Sequence, residues 1–405
     1  MKNILLISYF YPPSGGPAVQ RNLKLTKYLS KLNCKVNVLT TDIGSYKVID
    51  KALEKEIPKE VNVHRIKFWD YNKLFGKNKI LNKFLALINV ILNLPDNKVF
   101  WNKKLYKKLD EIIISEKIDT VIISIPPYST ALLSKRIKKK FNIQVIIDYR
   151  DPWVHSPMQR FLPGYKFINK ELEASVLNNV DGIVSVSKPI IDKIKDEYKF
   201  HRKATVIPNG YDEEAIIDKY VTNNEKFTLT FIGNFSVKNN PTTLIKAIDE
   251  CIHEGKIDKN KINLVFVGNN NLYCIRDYIE CTGYLSHSKI FDYTRNTDAL
   301  LLVLNSNNNK GTYSGKLFEY IVSNKPILAL IPKNGVAANL IMETKTGYIA
   351  EENNINEIKN VLIYMYENWQ NKSLEINCDY EKISKYSRLE LTKKLLEFIN
   401  DRNEV

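Results

Sequence analysis

Short runs of β-branched and other apolar residues alternate with helical patterns along almost the whole chain. This alternation is typical of parallel α/β sheets, because parallel strands are joined by crossovers that usually contain a helix. The first half predicts strands near 2–8, 35–40, 61–66, 120–124, 144–148, 182–186 and 204–207. The second half predicts strands near 227–233, 262–267, 299–304, 326–330 and 347–350. We therefore expect an α/β fold with two series of parallel strands.

The two series meet at VIPNGYDEE, residues 206–214. Pro-Asn-Gly turn chemistry there gives way to an acidic stretch with few apolar residues, which is typical of a linker. A chain of 405 residues that is 44% hydrophobic is also long for one core. Two domains are therefore expected.

The cysteines and the apolar runs bound the protein class. Five cysteines, at positions 34, 251, 274, 281 and 378, include no CxxC pair, and the five histidines are scattered. This pattern predicts neither a zinc site nor a disulfide framework, and it favours a reducing compartment. The N-terminal MKNILLISYF is interpreted as a first buried strand rather than a secretion signal. No apolar run reaches the roughly 18 residues that a membrane-spanning helix needs.

The positive charge is concentrated in the first half of the chain. The net charge is +15, and residues 1–210 carry 37 Lys and Arg against 19 Asp and Glu. Within 71–108, nine lysines and one aspartate surround the apolar segment LNKFLALINVILNL. Such a segment is suited to the interface of an anionic membrane. The membrane contacts we predict are Lys77, Lys79, Lys83, Phe84 and Leu85.

Two other interpretations of this basic half remain. Residues 81–94 could form a helix that faces the core and carries a solvated rim of lysines. A nucleic-acid partner is the weaker possibility, because we find no recognisable nucleic-acid-binding motif and no basic stripe interleaved with stacking aromatics. No nucleic-acid partner is therefore predicted.

The segment GTYSGKLFEY, residues 311–320, predicts a phosphate-binding loop. A loop of small residues opens into a predicted helix at 315–323, whose first turn carries Lys316 and Glu319. Free N–H groups at a helix start, the helix dipole and a lysine together favour phosphate oxygens. Glu319 follows Lys316 by three residues, so its carboxylate could accept hydrogen bonds from ribose hydroxyls. A solvated surface helix is the alternative.

Three further loops follow predicted strands, where ligands of open parallel sheets bind. YPPSGGPAVQR places Gly15 and Gly16 before a helix, without a GxGxxG fingerprint. In IIDYRDPWVHSP, Arg150 could bind phosphate or a sugar hydroxyl, or it could form a salt bridge with Asp151 that fixes the loop. FIGNFSVKNNP carries Gly233 and Lys238, and the latter is a candidate phosphate ligand.

Eight motifs in this order resemble the retaining family 4 glycosyltransferases of the GT-B fold. They are the proline-rich Gly-Gly loop, ISIPPYST, DYRDPW, SVSKPI, VIPNGYD, FIGN, TGYLSHSKI and SGKLFEYIVSNKPILA. The likeness covers nearly the whole chain, and it is greatest to bacterial enzymes that build capsule, O-antigen or exopolysaccharide.

The resemblance implies two Rossmann-like domains whose parallel sheets face each other across a cleft. The implied boundaries are 1–212, joined by a returning helix at 386–405, for the acceptor side and 213–385 for the nucleotide-sugar side. The implied reaction is sugar transfer from a nucleoside-diphosphate sugar, expected to be a UDP-sugar, to a lipid-linked or oligosaccharide acceptor. The protein is expected to be cytoplasmic and peripheral on the inner face of the cytoplasmic membrane, with no cofactor and no metal.

The resemblance also assigns roles to residues of this chain. Arg150 and Asp151 are expected near the transferred sugar, and Lys316 and Glu319 at the diphosphate and ribose. The nucleotide-sugar set implied by the resemblance is Gly15, Gly16, Gly233, Lys238, Gly283, Leu285, Tyr313, Ser314, Gly315, Lys316, Leu317 and Glu319.

The chain departs from the family pattern at two loops. Many members carry a glutamate eight residues before the ribose-binding one, where this chain has Gly311. Many also carry Arg after the FIG glycine and Lys six residues after that glycine, where this chain has Asn234 and Asn239. A UDP-sugar 2-epimerase of the same fold and a catalytically silent nucleotide-sugar-binding subunit are therefore alternative functions.

Overall fold

The computed structural model describes residues 1–46, 48–68, 94–155, 164–216, 222–236, 239–270, 273–285, 287–304 and 310–401. The chain divides into two compact units, Met1–Pro208 with Leu391–Val405, and Asn209–Glu390. The expected boundaries lay at 212 and 386, a few residues from these.

The described residues of the first unit form one sheet of seven parallel strands. They are β1 Asn3–Ile7, β2 Lys35–Thr41, β3 Asn62–Ile66, β4 Thr120–Ile125, β5 Gln144–Tyr149, β6 Gly182–Ser185 and β7 Lys203–Val206. Their order in the sheet is β3-β2-β1-β4-β5-β6-β7. The helices of this half are α1 Pro17–Lys31, α2 Val99–Ser115, α3 Leu133–Lys140, α4 Tyr165–Leu177 and α5 Lys188–Tyr198.

In the second unit, the part of the chain that the structure describes forms six parallel strands. They are β8 Phe227–Ile232, β9 Ile262–Val267, β10 Ile279–Gly283, β11 Ala299–Val303, β12 Ile327–Leu330 and β13 Gly347–Ala350, in the order β10-β9-β8-β11-β12-β13. The helices described in this unit are α6 Thr242–His253, α7 His287–Arg295, α8 Leu317–Tyr320, α9 Val336–Thr344, α10 Ile355–Gln370 and α11 Tyr380–Ser384. The last helix, α12 Arg388–Asn400, begins at the end of the second unit and lies mostly in the segment Leu391–Val405 of the first unit. The predicted two sheets of parallel strands are confirmed.

Both sheets are covered by helices on both faces. On β1, Leu5 and Ile7 pack with α2 to α5, while Ile4 and Leu6 face the cluster that contains Leu29 of α1 and the α12 residues Leu391, Leu395 and Ile399. Alternate residues of a strand point to opposite faces, so a strand covered on both sides is apolar over most of its length. This is why the strands of both units could be found as continuous apolar runs.

A strand and a helix of the second unit are among the elements that differ from the sequence prediction. Strand β10 was not predicted, because this edge strand has one neighbour, β9, and none of its five residues is buried. The helix predicted over 315–323 contains only Leu317–Tyr320 and is followed by turns. Since the helix dipole is a sum over aligned peptide units, a helix of four residues offers far less of it than the prediction assumed.

The strand order reverses at one place in each sheet, between β1 and β4 and between β8 and β11. Loops that leave the carboxyl ends of the strands at such a switch point diverge, and ligands bind in the resulting crevice. No helix among the described residues is long and apolar enough to cross a membrane.

A buried ion pair ties α1 to the sheet of the first unit. Arg21 donates to the Asp148 carboxylate from Nε at 2.9 Å and from Nη2 at 2.7 Å, and its Nη1 donates to the Pro208 carbonyl at 3.1 Å. Both side chains are almost completely buried. Removing one partner would leave a buried charge without compensation, which typically costs about 3–5 kcal/mol.

We expect Arg21→Met to lower the free energy of unfolding of the first unit by about 3–5 kcal/mol. Arg21→Met with Asp148→Leu should recover part of that loss, because no buried charge is left unpaired. The control is Lys188→Met, which removes an exposed pair with Asp192 and should barely change stability. Denaturation followed by the fluorescence of Trp101 and Trp153 measures the effect, and equal effects of Arg21→Met and Lys188→Met would contradict it.

Candidate functional site

Lys316 lies between the carboxyl end of β8 and the start of α8. Its Nζ donates a hydrogen bond to the carbonyl of Ile232, the last residue of β8, and lies 5.7 Å from the centroid of the Phe231 ring. Burial lowers the pKa of Lys316 to about 8, while the nearby Glu319 carboxylate acts in the opposite direction. A partly desolvated ammonium therefore lies at the switch point of the second sheet.

Gly233 makes room for this lysine. A β-carbon at position 233 would collide with Nζ of Lys316, and the backbone there has φ of 131°, which favours glycine. Tyr320 binds the same turn from the other end of α8, because its hydroxyl accepts the N–H of Ile232 at 3.3 Å. Both backbone polar groups of Ile232 are thus engaged by side chains of one short segment.

A second glycine–asparagine turn, after β9, supports the first. Gly268 has φ of 134°, and a β-carbon there would lie 2.7 Å from Oδ1 of Asn234. The buried Asn270 donates from Nδ2 to the Gly233 carbonyl at 2.7 Å, and its Oδ1 accepts the N–H of Phe235 at 2.8 Å. Sequence reasoning missed Gly268 and Asn270, although FVGNN follows a predicted strand as FIGN does.

Asn234 contributes to the turn after β8. Its Oδ1 accepts the backbone N–H of Asn269 at 2.8 Å. A carboxamide oxygen in this position holds two neighbouring loops together.

The segment before α8 uses part of its backbone internally. Ser314 accepts the N–H of Leu317 at its carbonyl, at 3.1 Å, and its Oγ accepts the N–H of Lys316 at 3.4 Å. The Leu317 side chain is fully buried, whereas Gly315 and Glu319 are exposed. Two N–H groups expected to face phosphate thus have partners within the loop. The charge of Lys316 becomes the main source of anion attraction.

Tyr313 packs against α8 and so fixes the residues that precede this helix. It packs against Phe318 with ring centroids 5.3 Å apart, and burial raises its pKa to about 12. Its hydroxyl is therefore neutral at physiological pH and can serve as a hydrogen-bond donor.

Gly283 and Leu285 lie at the end of β10, on the neighbouring side of the sheet. Gly283 has φ of 70° and forms a bridge with Gly268, and Leu285 packs against the cluster that contains Leu317. The structure therefore brings three predicted positions, Gly233, Gly283 and Lys316, to one edge of the second sheet.

The structure pairs Cys274 with Cys281 in a disulfide, with the Cα atoms 6.3 Å apart. Both sulfur atoms also lie 3.7 Å from the carbonyl of Asn270. The sequence analysis predicted no disulfide framework, because a spacing of seven residues outside a CxxC pair carries little signal. The pairing depends on the turn that joins β9 to β10, which folds the two cysteines together.

Gly15 and Gly16 belong to the first unit and follow β1. The N–H of Gly15 donates to the Val48 carbonyl at 2.9 Å. Gly16 has φ of 100°, and a β-carbon there would meet no atom within 4 Å. Gly16 is the N-cap of α1, and the space beside its α-carbon is open.

Arg150 binds backbone carbonyls of the first unit. Its Nη1 donates to Ala18 at 2.8 Å, its Nε to Ile125 at 3.2 Å, and its Nη2 to Pro126. Burial lowers its pKa, while Asp148 and Asp151 act in the opposite direction. These hydrogen bonds fix the first turn of α1 to the end of β4, so the guanidinium serves to position this edge of the sheet.

Asp151 is exposed and follows Arg150 directly. The loop around it removes enough water to raise the pKa of its carboxyl, and Arg150 counteracts this effect. The adjoining aromatic pair is rigid, since Trp153 stacks on Tyr128 at 5.3 Å and donates from Nε1 to Asn169 at 2.9 Å. Asp151 is thus a carboxylate presented to solvent on a fixed loop.

Several predicted residues lie outside the described part of the chain. They are Lys238 and the membrane contacts Lys77, Lys79, Lys83, Phe84 and Leu85. Within the described ranges, no group of three or more His, Cys, Asp or Glu side chains is arranged to hold a metal ion.

Two family models match adjacent parts of the chain. Residues 18–215 match the model described as Glycosyltransferase Family 4, and residues 212–389 match the model described as Glycosyl transferases group 1. A search of curated proteins found no significant match.

Solved structures of the same fold cover nearly the whole chain. Sucrose-phosphate synthase from Thermosynechococcus elongatus has a TM-score of 0.68 and 13% identity, and covers 98% of each chain. Anabaena Alr3699/HepE, solved in complex with UDP and glucose, has a TM-score of 0.64 and 12% identity, over 99% of this chain and all of that one. WaaG, a glycosyltransferase involved in lipopolysaccharide biosynthesis, has a TM-score of 0.59 and 12% identity, over 98% of this chain and all of that one.

The lowered pKa of Lys316 can be measured directly. In protein labelled with ¹³C at the lysine Cε carbons, we expect a resonance that titrates near pH 8 and disappears in Lys316→Arg. Exposed lysines should titrate near about 10.4. Between these values the unfolded chain binds more protons than the folded one, so Lys316 should make stability rise with pH over that window.

Lys325 needs a separate assignment, because burial also lowers its pKa to about 8. The variant Lys325→Arg identifies its resonance. A Lys316 midpoint near that of the exposed lysines would contradict the desolvated site.

Proposed function

Because the chain belongs to the family 4-like glycosyltransferases of the GT-B fold, we propose that it transfers a sugar from a UDP-sugar to a lipid-linked or oligosaccharide acceptor, with retention of anomeric configuration. The proposed role is in surface polysaccharide biosynthesis. The observation that carries the proposal is the desolvated Lys316 ammonium held against the Gly233 turn. The same fold hosts many reactions, so the proposed reaction is argued from the residues of the site.

Lys316 is suited to the leaving diphosphate. An ammonium has three donors, and the Ile232 carbonyl accepts one of them. Charge develops on the diphosphate as the bond to the sugar breaks, and a preorganised cation of low solvation stabilises that charge more than the same cation in water. We propose that this site, rather than a bound metal ion, supplies most of the stabilisation.

Glu319 is suited to the ribose. It lies three residues beyond Lys316, is exposed, and is close enough to affect the pKa of that lysine. A carboxylate accepts two hydroxyl hydrogen bonds at once, which matches the neighbouring hydroxyls of ribose. The base would then lie towards Gly283 and Leu285, which bound the same edge of the sheet.

The comparisons support the choice of donor and role. HepE is described with UDP and glucose, and WaaG is described as acting in lipopolysaccharide biosynthesis. At 12% identity these structures share the fold with this chain, and the donor and pathway are our extension.

We expect Lys316→Ala to reduce sugar transfer by at least about 100-fold, since one stabilising donor is typically worth 10²–10³ in rate. Glu319→Ala should also reduce transfer, because the ribose hydroxyls lose their acceptor. Circular dichroism and the thermal transition should stay close to those of the parent protein. The control is Lys345→Ala, an exposed lysine at the end of α9.

The assay is UDP release from UDP-sugars in the presence and absence of a saccharide acceptor. Release that depends on acceptor supports transfer. Conversion of the UDP-sugar without acceptor would support the epimerase instead, and full activity in both variants would contradict the assigned site.

We propose that the basic segment 71–108 attaches the protein to the inner face of the cytoplasmic membrane. Neutralising Lys77, Lys79 and Lys83 to Gln should release the protein from vesicles with 30% phosphatidylserine, since each basic residue near such a surface contributes about 1 kcal/mol. Sedimentation at low and high salt measures binding. Neutralising Lys256, Lys259 and Lys261 in the second unit is the control, and unchanged binding of the first variant would favour a core-facing helix.

A further inference from the structure

The second unit has a large cavity at the edge of its sheet opposite to Lys316. The cavity has a volume of about 750 Å³. Its walls come from residues that precede strands, including Glu225 before β8, Lys261 before β9, Asp298 before β11 and Lys325 before β12. β8 contains six residues, so about 20 Å separate this amino edge from the Gly233 turn. The cavity is therefore distinct from the donor site.

The floor of the cavity is charged but balanced. Asp298 is buried and accepts the N–H of Thr228 at 2.8 Å and Nδ2 of Asn224 at 3.1 Å. Lys325 is also buried, and its charge is partly offset by Asp298. In all, three acidic and three basic side chains line the cavity: Glu225, Asp298, Glu375, Lys261, Lys325 and Lys372. This balance disfavours an anionic ligand such as a nucleotide.

The walls of the cavity are rich in carboxamides and aromatic rings. The carboxamides are Asn223, Asn224, Asn324, Gln370 and Asn377. A carboxamide combines donors and an acceptor, as a sugar hydroxyl does, and Asn224, Gln370 and Asn324 use part of theirs within the protein. Tyr380 is 61% exposed and donates from its hydroxyl to Oδ1 of Asn324 at 2.7 Å, which orients the amide.

Trp369 supplies an apolar surface in the same cavity. Its ring centroid lies 6.0 Å from that of Phe227 and 5.7 Å from that of Tyr366, and these two rings fix its position. A fixed ring offers an apolar face to the C–H groups of a sugar at little cost in conformational entropy. The cavity volume falls in the range of small-ligand sites.

We propose that this cavity, which we call the amide pocket, is a second binding site that takes neutral oligosaccharides. The choice of a saccharide follows from the lining alone and does not depend on the proposed donor chemistry. A neutral ligand with many hydroxyls matches paired donors and acceptors around an aromatic ring. Because such a ligand is uncharged, it can bind in a pocket whose acidic and basic side chains are equal in number.

The chain has four tryptophans, which allows a specific test. In protein labelled with 5-fluorotryptophan, the ¹⁹F resonance of Trp369 is assigned by its loss in Trp369→Phe. Maltotriose, cellotriose and triacetylchitotriose are then titrated one at a time. We expect at least one of them to shift the Trp369 resonance saturably and to leave the other three unchanged.

Variants of exposed amides locate the binding. Asn223→Leu with Asn377→Leu should raise the dissociation constant at least tenfold, whereas the control Asn353→Leu, an exposed amide on the 351–354 turn, should not change it. Thermal transitions of all variants are measured in parallel to confirm that they are folded.

Two arms separate this site from the donor site. The shift should persist in Lys316→Ala and in the presence of saturating UDP, and trigalacturonate should not reproduce it. The proposal is overturned if none of the three neutral trisaccharides shifts Trp369, if UDP or Lys316→Ala abolishes the shift, or if trigalacturonate binds equally well.

Discussion

The absence of a side chain at Gly233 is the constraint on which the candidate donor site depends. β8 and β11 are neighbours in the sheet, so the turn after β8 and the segment that returns to α8 meet at one edge. A β-carbon at 233 would collide with the Lys316 ammonium in its present position, so the glycine lets this ammonium lie beside the Ile232 carbonyl. Gly268 repeats the arrangement one strand away, and Asn270 joins the two turns. Two glycines thus make room for a partly desolvated cation where the backbone would otherwise be crowded.

The first unit uses charge in a different way. Arg21 and Arg150 are both directed inwards, the first to the Asp148 carboxylate and the second to three backbone carbonyls. Neither arrangement is strongly stabilising in itself, because removing charges from water is costly. Together, the hydrogen bonds of Arg21 and Arg150 fix the geometry of the loop that carries Asp151. The DYRDPW motif is therefore explained mostly by the positioning of this loop.

Much of the fold could be predicted because buried parallel strands are continuous apolar runs. That Lys316 and Gly233 lie at the same edge of the second sheet could be predicted, because both belong to loops that follow strands. The partners of Arg150 could not, because backbone carbonyls leave no mark in a sequence. The edge strand β10, the pairing of Cys274 with Cys281 and the role of Asn270 depend on how one turn folds, and they needed coordinates. The helix at 317 was predicted too long because its pattern continues into turns that have helix-like spacing.

Lys316 and Lys325 have a similar pKa at opposite edges of one sheet, but they differ in how far a nearby carboxylate offsets their charge. Burial lowers the pKa of each lysine to about 8. Lys325 faces the buried Asp298, so its charge is largely used within the protein. The carboxylate near Lys316 is the exposed Glu319, which water screens, so more of the lysine charge is left for a ligand. The carboxyl edge is therefore suited to a diphosphate, and the amino edge, with its charges balanced and its walls lined with amides, to a neutral molecule.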